Sequence, residues 1–490
     1  MSKGFKIIYI VLFFLVCCLP MALMPFVKNN AEIEKRELAE FPKYMEHGRL
    51  NVDFSTQFES WLNDRIPYRA ELLSTANLLK SEMLHAPSSN VIVGQEGWLF
   101  YETESMDYMD TNAMSDWNIK AAATTVSLLE KGVEAKGGKF TFVPMPNKAS
   151  VYGEKMPKCY NEADENNLSR LTEALRDEHV NFVDMKGELT AHKDEGLLYH
   201  RRDSHWNYRG ALLGYNLIMD SLGKEHETYA DASYTVEETW RGDLDKLLYP
   251  AGGFMDDQVN YDIQMPRFMF TSPASTSSPQ EQLENFMSDK EQGDDQFQSK
   301  NMEKKDGSSL YMVRDSFGRA LLPYFIANYE TAQFKRTDCP DVATLAENTD
   351  VVYEIVERNL SRIVRKTPFM YAPEQEVIPA GQLSEGADIR NQVTGYGTYI
   401  FGSLPDDLST DYVHVYVTLE KDGETHHFEA FPIYDADLMG DKDPSNDLAY
   451  LEKKGFSAII SPESGLTGSW NVTVLADGRL FTGGTVSFGD

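Results

Sequence analysis

Leu310-Tyr311-Met312-Val313-Arg314-Asp315-Ser316-Phe317-Gly318 is the stretch on which the reading of this chain turns. An apolar run ends in a short polar turn, and Arg319 to Tyr329 then carries a helical pattern. A strand feeding a helix through a tight turn is the building unit of a parallel sheet covered by helices. The same alternation occurs to either side. Trp117 to Val133 reads as a helix stopped by Gly137 and Gly138, and Lys139 to Pro144 as a strand. Asn167 to Glu178 reads as a helix, Val180 to Met185 as a strand, and Asp350 to Val356 as a strand leading to a helix near Leu360. The fold class is therefore α/β, with a parallel sheet flanked by helices. In such sheets functional groups gather beyond the carboxyl ends of the strands, where Ser316 falls.

The position of Ser316 suggests a nucleophile. Backbone N–H groups at a helix mouth lack intrahelical partners and can stabilise an oxyanion. Gly318 would let a substrate or a loop approach the backbone closely, although no G-x-S-x-G motif is present. A plain helix cap at Asp315 or Ser316 is the simpler alternative. A second stretch, Arg202-Asp203-Ser204-His205-Trp206-Asn207-Tyr208-Arg209-Gly210-Ala211, precedes an apolar helix pattern through Ile218. Asp203 can hold one imidazole nitrogen of His205 and leave the other free as a base. Here the alternative is a cap at Asp203 with a packed histidine. Taken together, Ser316, His205 and Asp203 supply nucleophile, base and orienting acid, the set needed for acyl transfer.

Other residues are candidates for substrate contact. Lys148 and Tyr152 follow a strand end. Arg314 and Arg319 flank Ser316 and could hold an anionic group. Trp206, with Trp98 and Tyr208, could stack on a ring of the substrate, although large aromatics more often belong to the core. No His/Cys cluster has zinc spacing and no glycine-rich phosphate loop occurs, so neither metal nor cofactor is expected.

Asp203-Ser204-His205-Trp206 followed by Tyr208-Arg209-Gly210-Ala211 resembles the signature of the DHHW family. That family is similar to the AlgX/AlgJ-type polysaccharide O-acetyltransferases, which have a permuted SGNH-hydrolase-like, flavodoxin-like fold. Further matching stretches are Val91 to Phe100, Pro144 to Lys148, Gly242-Asp243-Leu244 and Val313 to Arg319. The resemblance spans roughly Asp53 to Arg362. It implies Ser316 as nucleophile, His205 as base and Asp203 as its partner. Ser204 stands where the family's nickname has a second histidine, a departure expected to have little consequence. The resemblance also implies a membrane-bound O-acyltransferase partner that passes acetyl across the bilayer.

The 490 residues hold 46 Lys+Arg and 77 Asp+Glu, a formal charge of −31. That acidity argues against nucleic-acid binding, which needs a basic footprint. Lys3 and Lys6 precede an apolar run from Ile7 to Val27. At a rise of about 1.5 Å per residue this run spans roughly 30 Å, enough for a bilayer core. Residues 1–28 thus read as an N-terminal transmembrane anchor or an export signal, with the rest of the chain extracytoplasmic, or secreted if the signal is cleaved. A charged stalk is expected at Glu32 to Glu40, and a helix from about Phe54 to Leu84.

Residues 29–372 are expected to form the SGNH-like catalytic domain. Within it, 271–309 reads as a mobile acidic insertion, on its Ser, Thr, Pro, Glu and Asp content. Residues 373–490 carry short strand patterns and hairpin turns, and read as a β-sandwich, immunoglobulin-like or carbohydrate-binding. Cys159 and Cys339 are expected as two unpaired buried thiols.

The expected function is O-acetylation of a cell-surface or secreted polysaccharide. A carbohydrate esterase with the same three residues is one alternative, and a non-catalytic glycan-binding or assembly protein is another.

Overall fold

The structure, a computed structural model, describes residues 3–24, 26, 38–46, 49–80, 90–272, 277–287, 296–410, 413–434 and 454–489. The expected stalk at Glu32 to Glu40 lies mostly outside these residues.

Six strands form the central sheet: β1 (Phe140–Met145), β2 (Phe268–Ser272), β3 (Gln296–Asn301), β4 (Ser309–Arg314), β5 (Thr331–Arg336) and β6 (Thr349–Val356). Their spatial order is β1-β6-β4-β5-β3-β2. The first four run parallel, and β3 and β2 extend the sheet antiparallel. Both faces are covered. Leu310, Met312, Val352 and Val356 point into a core shared with the helix Tyr208–Ser221. Tyr311, Val313, Val351, Tyr353 and Ile355 point the other way, toward the helix Asp116–Ala135. Burial on both faces is why these strands read as continuous apolar runs.

Several expectations need correction. Val180 to Met185 makes only an isolated bridge, Phe142 to Phe182, before the helix Met185–His192 begins. The long helix expected from Phe54 is two helices, Phe54–Arg65 and Arg69–Leu79, because Pro67 interrupts the hydrogen-bond ladder and Tyr68 is left-handed at φ 56°. The region 271–309 is not simply a solvated insertion. Among its described residues are the helix Pro279–Met287 and strand β3, which bury Leu283, Phe286 and Phe297. Phe297 stacks on Phe286 at 4.6 Å and on Phe334 at 4.8 Å. A few large aromatics outweigh the acidic average, since each buries far more apolar area than an acid must expose. The thiols are free, but Cys159 is exposed and Cys339 half-buried. Burial pushes the Cys339 thiol up to about 11.

The C-terminal region is one curled sheet. Its strands run in the order Gln382–Ser384, Arg479–Phe488, Gly468–Ala476, Val415–Lys421, Glu424–Tyr434, Lys454–Ile460, Gly397–Ser403 and Asp388–Thr394. The expected pair of sheets is joined by the long strand Glu424–Tyr434. Its first part pairs with Val415–Lys421 and its last four residues with Lys454–Ser457. The two ends of the sheet approach each other, with Asn391 Nδ2 donating to the Thr485 carbonyl at 3.3 Å. Phe431 and Ile433 pack into the core beside the helix Asp116–Ala135.

At the N-terminus, Lys3–Leu23 is a helix of 21 residues. Ile7, Ile8, Ile10, Val11, Phe13 and Phe14 on it are exposed. Among the described residues no helix is long and apolar enough to cross a membrane.

Phe297→Ala should lower unfolding stability by about 3–5 kcal/mol, the usual result of emptying an aromatic site in a core. Chemical denaturation checks this, and an unchanged midpoint would mean that β3 does not belong to the sheet.

Candidate active site

The strand β4 ends at Arg314, and Ser316 opens a short 3-10 turn, Phe317–Leu321. Asp315 fixes this turn to the neighbouring strand. Its Oδ1 accepts from Phe317 N at 2.8 Å, and its Oδ2 accepts from Val356 N at 2.8 Å. Its own N–H donates to Glu354 Oε2 at 2.9 Å. Burial, and then the Asp315 charge, push the Glu354 carboxyl well above its ordinary value. Gly318 is required by the protein itself rather than by a substrate. A Cβ there would stand 2.7 Å from Arg314 Cβ and 3.0 Å from Glu354 Oε2. The Phe317 N–H is engaged by Asp315, and the Arg319 N–H faces the Ser316 carbonyl at 3.4 Å.

The second stretch meets this turn from the facing loop. Asn207 caps the helix Tyr208–Ser221 by accepting from Arg209 N and Gly210 N. Asp203 is therefore not the cap. Its Oδ1 lies 2.7 Å from His205 Nδ1, and His205 Nε2 lies 2.7 Å from Ser316 Oγ. A carboxylate against Nδ1 assigns the proton to that nitrogen and leaves the Nε2 lone pair facing the serine. The imidazole also packs on the Phe317 ring, centroids 4.9 Å apart.

Asp203 is buried yet ionised. Its Oδ2 accepts from Trp240 Nε1 at 3.0 Å and from Asp243 N at 2.9 Å. Burial alone would raise its pKa, but the His205 hydrogen bond and the nearby imidazoles hold it well below the usual carboxylate range. Burial opposes charge on His205 as well. There the Asp203 hydrogen bond and the charges of Asp203 and Asp243 prevail, and its pKa is raised. Asp203, His205 and Asp243 offer donor atoms within 4.8 Å of one another.

Ser316 and His205 open into a cavity of about 1260 Å³. Its walls include Tyr208, Trp240, Arg241, Arg319, Arg358 and Arg362. The remaining candidates divide. Arg319 and Tyr208 line the cavity. Arg314 reaches its wall but is almost wholly buried, with one guanidinium N–H donating to the Asp315 carbonyl. Trp206 also reaches the cavity wall but is 3% exposed, and it donates Nε1–H to the Phe317 carbonyl at 3.1 Å, which holds the serine turn. Tyr152 and Trp98 are buried against each other, 4.6 Å between centroids, away from the cavity.

Lys148 is 0% exposed. Its ammonium donates to the carbonyls of His200, Arg201 and Asp203 at 3.2, 3.2 and 2.5 Å. Burial lowers its pKa to about 8, against the pull of Glu104 and Asp203. It braces the loop carrying Asp203 and His205.

Three contributors were not foreseen: Trp240, Asp243 and Arg358. Arg358 follows the carboxyl end of β6 and donates to Asn147 Oδ1 at 3.2 Å beside Phe317. Its place just beyond a strand end was the available signal. Gly242-Asp243 belongs to a stretch that carries the family resemblance, which implies no role for it.

Residues 91–283 match the family described as SGNH hydrolase-like domain, acetyltransferase AlgX. A probable alginate O-acetylase, AlgJ of Pseudomonas aeruginosa, is 24% identical over 206 residues, or 41% of this chain and 51% of that protein. The chain thus spans about half the length of the curated relative it matches. Among solved structures, a DHHW family protein from Eubacterium siraeum aligns with TM-score 0.42 and 16% identity, over 56% of this chain and 93% of that one. PatB1 of Bacillus cereus aligns with TM-score 0.43 and 15% identity, over 55% and 96%. Residues 91–283 are thus similar to an SGNH hydrolase-like domain, and the chain resembles the AlgX/AlgJ-like O-acetyltransferases.

Proposed function

We propose that this chain is an extracytoplasmic O-acetyltransferase that moves an acetyl group onto a hydroxyl of a cell-surface or secreted polysaccharide. The carrying observation is the unbroken chain Asp203–His205–Ser316, with both links at 2.7 Å, opening on a large cavity. In this reading Ser316 Oγ gives its proton to His205 Nε2 and attacks the carbonyl carbon of an acetyl donor. The donor's leaving group departs with the proton from Nε2, leaving acetyl-Ser316. A sugar hydroxyl then passes its proton to Nε2 and attacks the ester carbonyl. Ser316 Oγ leaves and recovers the proton. Asp203 keeps the Nδ1–H tautomer and stabilises the imidazolium formed in each step.

The similarity to an alginate O-acetylase supports a polysaccharide acceptor. The exposed apolar side chains that follow Lys3 and Lys6 within the helix Lys3–Leu23 support attachment to a membrane. Anchoring would hold the enzyme beside a membrane-bound O-acyltransferase supplying acetyl, which raises effective concentration. In this arrangement residues 29–372 form the catalytic domain and 373–490 an accessory β domain.

Ser316→Ala should lower acetyl transfer at least about a thousandfold and abolish labelling by a serine-reactive phosphonate. Transfer is measured as acetylated oligosaccharide formed from p-nitrophenyl acetate and a sugar acceptor. Release of acetate alone, with no acetylated sugar from any acceptor, would make the chain an esterase instead.

The pH profile follows from the direction of the His205 shift. The base works only when neutral, and its pKa stands above the ordinary histidine value of about 6.5. Activity should therefore fall as pH drops through a midpoint above that value. Asp203→Asn should move the midpoint to lower pH while reducing the rate. A wild-type limb midway below pH 6 would contradict the assignment of His205 as an imidazole stabilised in its charged form.

A further inference from the structure

We infer that Asp243 is a positioning residue for His205, acting through Ser204 and as a second carboxylate behind the imidazole. The inference rests on the catalytic reading of Ser316, His205 and Asp203.

The geometry is reciprocal. The Asp203 carboxylate accepts the Asp243 N–H at 2.9 Å, and the Asp243 carboxylate accepts the Ser204 N–H at 2.7 Å. Asp243 Oδ2 also accepts from Ser204 Oγ at 2.5 Å and lies 3.6 Å from His205 Nδ1. Ser204 Oγ itself stands 3.2 Å from Nδ1. Two loops, 202–205 and 240–243, thus clasp each other through backbone and side chain. Their approach requires a glycine. A Cβ at Gly242 would lie 2.1 Å from the Arg202 carbonyl oxygen and 2.8 Å from Asp203 N. The clasp also takes up the first N–H groups of the helix Asp243–Leu248, Asp243 N on Asp203 Oδ2 and Asp245 N on the Arg202 carbonyl at 3.1 Å, so the loop that carries His205 and the start of this helix are held together.

The arrangement divides the work of holding the base. Asp203 takes the Nδ1 proton in line. Asp243 fixes Ser204, the residue between Asp203 and His205, and its charge favours the imidazolium without competing for that proton. The Asp243 side chain is 39% exposed toward the cavity. Burial and the Asp203 charge raise its pKa, and His205 with the Ser204 N–H and Oγ donors works against that by favouring the ionised form. The charged and titratable groups facing His205 are Asp203 on its own loop, Asp243, Arg358 and His200. The first two favour the imidazolium and Arg358 opposes it. Asp243→Asn leaves Arg358 less opposed.

The test uses the full chain with p-nitrophenyl acetate as donor. Asp243→Asn should lower kcat about tenfold to a hundredfold, with KM within about twofold. It should also move the acid limb of the rate profile to lower pH by roughly half a unit or more. NMR titration of the His205 ring should show the same displacement. Ser204→Ala keeps both carboxylates, and should lower kcat about threefold to tenfold with the limb in place. It maintains the test if Asp243→Asn does not fold. A wild-type rate and limb in Asp243→Asn would overturn the inference. So would a slowed enzyme whose limb and ring titration do not move, or a wild-type Ser204→Ala. Ser316→Ala separates the two levels: if it stays active, the catalytic reading fails, and if it is dead while Asp243→Asn behaves as wild type, only the role of Asp243 fails.

Discussion

A single buried carboxylate, Asp203, is the constraint around which the site is built. Taking an ionised carboxylate out of water costs several kcal/mol unless hydrogen bonds replace its hydration. Asp203 receives four such bonds: His205 Nδ1 and N on Oδ1, and Trp240 Nε1 and Asp243 N on Oδ2. Its own carbonyl receives a fifth from the Lys148 ammonium. The donors come from three separate residues, so satisfying the carboxylate ties the 203–205 loop to Trp240 and Asp243. That arrangement aims His205 at Ser316.

How much of this was legible in the sequence follows from where each partner lies. Asp203 and His205 sit two residues apart and Ser316 follows an apolar strand, so local pattern and a family resemblance were enough to name them. The helix cap, the β4 turn and both buried sheet faces are also local. Trp240 and Asp243 lie some forty residues from Asp203, and no spacing rule connects them. Lys148 is a candidate for substrate contact by its place after a strand end, and a lysine is rarely fully buried. Its position just after β1 carries it instead beneath the 200–203 loop, where three carbonyls replace its water. The region 271–309 misled through its average composition, because three apolar side chains decided the fold of the part that could be described.

The charge of −31 also gains a location. Around the cavity the acids are mostly engaged inward. Asp203 and Asp315 accept backbone and ring N–H groups, and Glu357 accepts from Asn147 N and Ser150 Oγ. Burial pushes Glu357 up to about 7, so its charge is weakened there as well. Arg241, Arg319, Arg358 and Arg362 stand at the same walls. The local field in the cavity is thus less negative than the surface around it. Arg314, first in line for an anion by sequence, is instead committed to the strand end.

Two independently built pieces must meet for the base to reach the serine. The serine turn belongs to the sheet, through Asp315 and β6; the histidine loop belongs to Lys148, Trp240 and Asp243. Phe317 is the joint between them. Its N–H is held by Asp315 on the sheet side, its carbonyl accepts Trp206 Nε1 from the loop side, and its ring lies against His205. Because both backbone groups and the ring are engaged, movement of the loop relative to β4 must break a buried hydrogen bond at Trp206 before it lengthens the His205–Ser316 contact. Such a bond, once its donor is left unpaired, costs about 1–3 kcal/mol. The 2.7 Å contact is therefore set by the packing of Trp206 and Phe317 as much as by the attraction between the imidazole and the hydroxyl.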